Sequence, residues 1–299
     1  MNPIESILVV LDRSERDKHV GEKAMLLARL LNARLELFLC DAERELALKQ
    51  NYDRPAAEKG RSACLTESTR YLTSVRDGLR LDPSRISTSA WCDSPLSAGI
   101  CRKVAEAKPD LVLKSPDSYH SRRRLSFSDN DWQLASTCRA PIMFVRGRAW
   151  RGVVRIGAAV DASSKHGVPL AREIASVASQ LHSQARGDLE VLSCVPRSEP
   201  GPAVGVHSRH LDEAFSHMPA SREAVHLLEG DADAVLPRFC AERDYDVLVM
   251  GALAHRSGMV PRVGSLTSRL IDALDCDFIL VKANRCATAG NVASQQAPG

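Results

Sequence analysis

The sequence predicts an α/β protein built from two tandem copies of one parallel-sheet domain. Three observations carry that reading. AEAKPDLVLK from Ala105 matches AERDYDVLVM from Ala241, and APIMFVR from Ala140 matches CDFILVK from Cys276, both pairs 136 positions apart. Two upstream openings, SILVVLDRS from Ser6 and VRIGAAVDASS from Val154, each end an apolar run on an aspartate, Asp12 and Asp161, 149 positions apart. Finally, continuous apolar runs alternate with helix-period segments, the pattern of a parallel sheet covered on both faces.

In the first copy, Ile7–Leu11, Leu35–Cys40, Ile86–Trp91, Leu111–Lys114 and Ile142–Val145 read as strands. Between the first two, Ala24, Leu27, Ala28 and Leu31 fall at i, i+3, i+4 and i+7, a helix with one buried face. Asp93-Ser94-Pro95 predicts another helix start, with a capping side chain followed by proline. The matching helix of the second copy carries the stripe Ala232, Val235, Leu236, Phe239 and Cys240. The change of offset from 149 to 136 puts insertions between the first and third strands.

The expected domains are residues 1–147 and 151–283, joined near Gly147–Arg151, followed by a tail at 284–299 of small and polar residues that reads as disordered. The N-terminal apolar run, Ile7–Leu11, is too short for a signal peptide or membrane span, which points to the cytoplasm. Nine cysteines without a CxxC pair argue against a zinc ribbon or disulfide framework. Cys40, Cys138, Cys194 and Cys276 read as small core hydrophobes. A net charge of +3 and 4% aromatics give neither a basic face nor stacking platforms for nucleic acid.

Asp246–Ser265, DVLVMGALAHRSGMVPRVGS, carries the strongest functional signal. An apolar strand that delivers glycines to a loop before a helix is how open α/β sheets build nucleotide-phosphate sites. Taken with the opening strand that ends in aspartate and the closing strand FILVK, the G-x2-G-x9-G-[ST]-like loop resembles the universal stress protein family. Two copies in one chain resemble its tandem-domain, UspE-like branch, over roughly residues 4–283. The resemblance implies five-stranded parallel sheets in the order 3-2-1-4-5, two domains packed as a pseudo-dimer, and a stress-response role that includes tolerance of DNA damage.

It further implies an ATP site in the second domain. Asp161 would accept a ribose hydroxyl, Gly251 would let the backbone approach the nucleotide, and Gly264 with Ser265 would present N–H groups and a hydroxyl to phosphate. The family's second loop glycine is Ala254 here. Arg256 and Arg262 flank the loop and read either as phosphate counter-charges or as solvated arginines. In the first copy the same offset puts Ser115, Ser118, Ser128 and Asp129 on Gly251, Ala254, Gly264 and Ser265. That copy is expected not to bind nucleotide, its site closed to phosphate by the Asp129 carboxylate.

No P-loop lysine motif, HExxH or GxSxG occurs, so no catalytic residue is assigned and any ATP hydrolysis should be slow. Arg122-Arg123-Arg124 reads as a solvated loop rather than an anion site. His207, His210 and His217, with Asp212 or His226, match no established zinc motif, and no metal is expected. Three functions fit the pattern: a regulator that binds an adenine nucleotide, a nucleotide-free scaffold for another small ligand or a protein partner, and a slow ATPase. The intrachain pseudo-dimer leaves a further homodimer open.

Overall fold

The computed structural model describes residues 3–50, 53–117, 127–150, 152–162, 167–195, 202–215, 225–252 and 265–283. The first half runs β1 (Ser6–Leu11), α1 (Asp17–Leu30), β2 (Arg34–Cys40), α2 (Ala42–Lys49), α3 (Arg54–Gly78), β3 (Ile86–Trp91), α4 (Leu96–Ala107), β4 (Leu111–Lys114), α5 (Asp129–Thr137) and β5 (Ile142–Phe144). The second runs β6 (Arg155–Ala159), α6 (Val168–Ala185), β7 (Asp188–Val195), α7 (Pro202–Phe215), β8 (Val225–Glu229), α8 (Ala232–Arg243), β9 (Val247–Gly251), α9 (Ser265–Ala273) and β10 (Asp277–Val281).

The strands form one ten-stranded sheet in the order β3-β2-β1-β4-β5-β10-β9-β6-β7-β8. Each half therefore has the expected 3-2-1-4-5 order. All pairings are parallel except the seam, where β5 and β10 run antiparallel with Phe278 opposite Phe144 and Leu280 opposite Ile142. This seam makes the pseudo-dimer a single sheet.

Strand alternation divides the interior into two layers. Ile7, Val9 and Leu11 join α1 and α6 residues such as Leu27, Ile174 and Leu181 on one face. Leu8 and Val10 join Ile100 of α4, Leu134 of α5, Leu236 of α8 and Leu270 of α9 on the other. Both layers run across the seam. The expected stripe on α1 is fully buried at Ala24, Leu27 and Ala28. On α8, Leu236 and Cys240 are buried, and Ala232, Val235 and Phe239 are half-buried.

The repeat is visible in backbone detail. α4 and α8 both end on a left-handed residue, Lys108 (φ 48°) and Asp244 (φ 56°), which lie at the same 136-residue offset. The predicted cap of α4 is different, however. Pro95 occupies the N-cap position without a side-chain hydrogen bond, and the Asp93 carboxylate instead accepts the Ser94 N–H at 2.8 Å. The longer β2–β3 connection of the first half forms α2 and the 25-residue α3, which packs on β2 and β3, where the second half has α7.

Polar contacts fasten the halves. Gln184 of α6 receives the Ile4 N–H at 2.9 Å and donates to the carbonyls of Ile4 and Leu31 at 3.2 and 3.0 Å. Asp277, fully buried at the start of β10, pairs with Lys23 of α1 at 2.8 Å. Its carboxylate also accepts the Arg146 N–H and the Trp150 indole N–H, each at 2.8 Å. Burial pushes the Asp277 carboxyl up and the Lys23 ammonium down, and their mutual attraction opposes both shifts. Removing one partner leaves the other charge buried and unpaired. Asp277→Ala should therefore cost about 3–5 kcal/mol in denaturant unfolding. Lys23→Met combined with Asp277→Ala should recover part of that loss.

Candidate functional site

The second-half site lies where chain connections diverge, the usual ligand position in open α/β sheets. β6 is flanked by β9 on one side and β7 on the other, with Ala159 level with both Met250 and Leu192. Asp161 follows β6 by two residues and is exposed. Gly251 ends β9 and is buried. Two candidates, Asp161 and Gly251, thus stand at adjacent carboxyl ends. Ser265 is the first residue of α9, so its backbone is at a helix start as the motif requires. Ala254, Arg256 and Gly264, together with Arg262, lie outside the described residues.

Two neighbours that the sequence did not assign to this site hold this framework. His210 of α7 is buried, and its Nδ1 lies 2.9 Å from the Ala162 carbonyl oxygen, so Nδ1–H donates and fixes the segment that carries Asp161. Thr267, buried in the first turn of α9, donates its hydroxyl to the Gly251 carbonyl at 3.1 Å. It ties the helix start to the strand end. Burial, aided by the nearby Asp161 charge, pushes the Cys194 thiol on β7 up to about 11.

Gly251 meets a packing constraint within the protein itself. A Cβ built there would come 2.6 Å from Leu170 Cδ2 and 3.2 Å from its Cγ. The glycine allows α6 to press on the end of β9. The expected role, close approach of a nucleotide, adds to this demand and does not replace it.

The equivalent crevice of the first half is a cavity of about 210 Å³ lined by Asp12, Arg13, Asp41, Glu43, Lys114 and Ser115, among others. Its groups are engaged with one another. Arg13, itself at φ 63°, pairs with Asp41 at 2.8 Å and donates to Ser68 of α3 at 2.6 Å. The Asp17 carboxylate accepts the Arg13 N–H at 2.9 Å and the Tyr71 hydroxyl at 2.6 Å.

At the 136-residue offset, Met250 and Thr267 are replaced by Lys114 and Asp131. These two form a buried ion pair at 2.9 Å. The Asp131 carboxylate also accepts the N–H groups of Asp117 and Ser128 at 2.7 and 3.0 Å, and Ser128 caps α5 in a reciprocal capping box. The sequence expectation placed the closing carboxylate at Asp129, but that side chain is exposed on the first residue of α5. Asp131 turns its oxygens onto the loop amides because it sits at the third helical position, where a capping-box acid reaches back.

Comparison with known proteins points to one family. Residues 153–282 match the model of the universal stress protein family. The whole chain is 22% identical to Universal stress protein E of Photorhabdus laumondii, with 93% of this chain and 95% of that protein covered. It is 21% identical to Universal stress protein E of Escherichia coli K12, with 95% and 96% covered. Residues 153–282 thus match the universal stress protein family, within a chain similar to Universal stress protein E over nearly its whole length. Two solved structures share its fold. A functionally unknown Pseudomonas aeruginosa protein superposes with a TM-score of 0.68 at 22% identity, covering 94% of this chain and 93% of that one. A universal stress protein of Archaeoglobus fulgidus superposes with a TM-score of 0.67 at 14% identity, covering 93% and 98%. This similarity supports a stress-response role.

Other residues of interest separate. His210 is committed to the Ala162 carbonyl, and His226 lies 3.3 Å from Glu190 with its ring tilted against Phe239. His217 and Arg122-Arg123-Arg124 are outside the described residues. Among the described residues no group of histidine, cysteine and carboxylate side chains is arranged to hold a metal. No described helix is long and apolar enough to cross a membrane. Cys40, Cys138 and Cys276 are buried in the core as expected, while Cys194 is half-buried.

Two outcomes test this geometry. Gly251→Ala should lower stability by about 1–2 kcal/mol through overpacking. Adding Leu170→Ala should make the alanine at 251 nearly neutral, since the clash would be gone. In the first half, burial raises the Asp17 carboxyl to about 6, against hydrogen bonds from Tyr71 and the Asp12 backbone. A raised native pKa means that the folded state holds the proton longer than the unfolded chain. Wild-type stability relative to Asp17→Asn should therefore fall as pH rises from about 4 to 6, by on the order of 1 kcal/mol after solvent screening. Denaturant titrations of both proteins across that range measure it.

Proposed function

We propose that the chain is a stress-response regulator whose second half binds an adenine nucleotide between the carboxyl ends of β6 and β9. The observation that supports this most is the convergence of Asp161 and Gly251 at that divergence point, with Ser265 opening the helix beyond. In this reading Asp161 takes a ribose hydroxyl. The loop through Ala254, Arg256 and Gly264 to Ser265 surrounds the phosphates, with ATP as the expected ligand. Ligand binding biases the loop and so an interaction surface for a protein partner. Any hydrolysis is slow, and the protein acts in the cytoplasm. Residues 1–147 and 151–283 are the two domains in this reading.

The first half does not bind nucleotide in this proposal. Its loop amides already face the Asp131 carboxylate, whose charge Lys114 balances. An arriving phosphate would meet an occupied set of donors and a like charge.

A second reading, a nucleotide-free scaffold for another small ligand or a protein, is favoured by one observation: packing against Leu170 alone accounts for Gly251. Titration calorimetry of the full chain with Mg-ATP separates the two. The nucleotide reading expects saturable heat, and affinity lowered about tenfold or more by Asp161→Ala, the scale of a hydrogen bond to a charged group. Absence of heat at millimolar ATP overturns it. A stress phenotype that survives Gly264→Asp would favour the scaffold.

A further inference from the structure

Outside both crevices, the helix layer of the first half holds a second reactive cluster. Cys101, half-buried on α4, packs against the apolar cluster that holds Cys138, which is fully buried at the end of α5. Cys101 Sγ also lies 3.4 Å from Thr137 Oγ1. A cation completes the group. β10 runs antiparallel to β5, and this register continued two residues past Leu280 brings Lys282 alongside Ala140, close to Cys138. Lys282 interacts electrostatically with both thiols.

The fold does not require this arrangement. At the 136-residue offset the second half has Pro237 for Cys101 and Leu274 for Cys138. Nor is it common to the other cysteine contact of the first half. At the Cys64 and Cys92 pair, burial and the Glu45 carboxylate push the Cys92 thiol up to about 12. The Cys138 thiol instead holds Cys101 down to about 6 against burial, helped by Thr137 and Lys282. Nucleophilic attack needs a thiolate, and a lowered thiol pKa with solvent access supplies one.

We propose that Cys101 and Cys138 are a peroxide-reactive dithiol that closes to a disulfide between α4 and the end of α5. The Cys101 thiolate attacks a hydroperoxide oxygen; the O–O bond breaks, and the departing alkoxide or hydroxide takes a proton. Cys101 becomes a sulfenic acid. The Cys138 sulfur then attacks Cys101 Sγ, its proton goes to the leaving hydroxide, and water departs. Two thiols lose two electrons, and one hydroperoxide is reduced to an alcohol and water, or to two waters if it is hydrogen peroxide.

The test uses the reduced full-length chain, treated with hydrogen peroxide at low molar excess and mapped by mass spectrometry without reduction. A Cys101–Cys138 linked peptide, lighter by two hydrogens, is expected to appear before any Cys64–Cys92 link. Its absence, or its appearance only after the other cysteines are oxidised, overturns the proposal. Iodoacetamide alkylation of Cys101 in the wild-type chain should rise with pH through a midpoint near 6. A midpoint at the ordinary thiol value of about 8.5 overturns it as well. In Cys138→Ala, dimedone should trap Cys101 as the sulfenic acid. An unlabelled Cys101 in a variant with the wild-type circular dichroism spectrum counts against the mechanism.

Discussion

The antiparallel pairing of β5 with β10 is the constraint on which the rest of the molecule depends. A parallel sheet in the order 3-2-1-4-5 ends on its fifth strand, which leaves a row of unpaired backbone groups. Here both fifth strands are deeply buried: Ile142, Met143, Phe144, Phe278 and Ile279 are at most 1% exposed. Neither strand is suited to water. Pairing them satisfies both edges at once and fuses two apolar layers into continuous cores. Asp277 then fixes the seam, because its carboxylate draws in the connecting segment through Arg146 and Trp150, and α1 through Lys23. The halves act as one body joined by backbone hydrogen bonds and a buried charge.

Within that body the two crevices have diverged through paired replacements. Met250 and Thr267 give the second half an uncharged strand end held by one hydroxyl. Lys114 and Asp131 give the first half a buried ion pair whose carboxylate also engages two loop amides. Neither change is tolerable alone, since a buried lysine or aspartate without its partner carries a large desolvation cost. The long α3 adds Ser68 and Tyr71, which engage Arg13 and Asp17. The first crevice is therefore stabilised by contacts within the chain.

Much of this was legible in the sequence. Apolar strands announced themselves as short continuous runs, and a constant offset of 136 located the repeat down to the left-handed residues that end α4 and α8. Asp161 and Gly251 were legible as strand-end candidates because they stand at the ends of such runs. The remainder depends on contacts between distant positions. Nothing local in Gly251 reveals that Leu170 presses on it, and His210 resembled one member of a loose histidine group. Only the fold shows that it holds the Ala162 carbonyl. Asp131 was passed over for Asp129 because the alignment gives position but not the direction in which a capping side chain turns. The α4 start was misread for a similar reason, with Asp93 occupied by the Ser94 N–H.

The seam strand also joins features that lie far apart in the sequence. Val281 pairs with Gly251 in the parallel register of β9 and β10, and the Ala252 N–H returns to the Val281 carbonyl at 2.8 Å. The next residue, Lys282, interacts with Cys101 and Cys138 of the other half. Two consecutive residues thus connect the strand end of the candidate nucleotide site to the thiol pair. A strand held by hydrogen bonds on both sides moves as a unit, because a shift of one residue breaks the ladder on each side. Any displacement of β10 is consequently shared by the seam, the Gly251 turn and the lysine beside the thiols. The strand that closes the sheet therefore also links the Gly251 turn to the thiol pair, through backbone hydrogen bonds on one side and the Lys282 charge on the other.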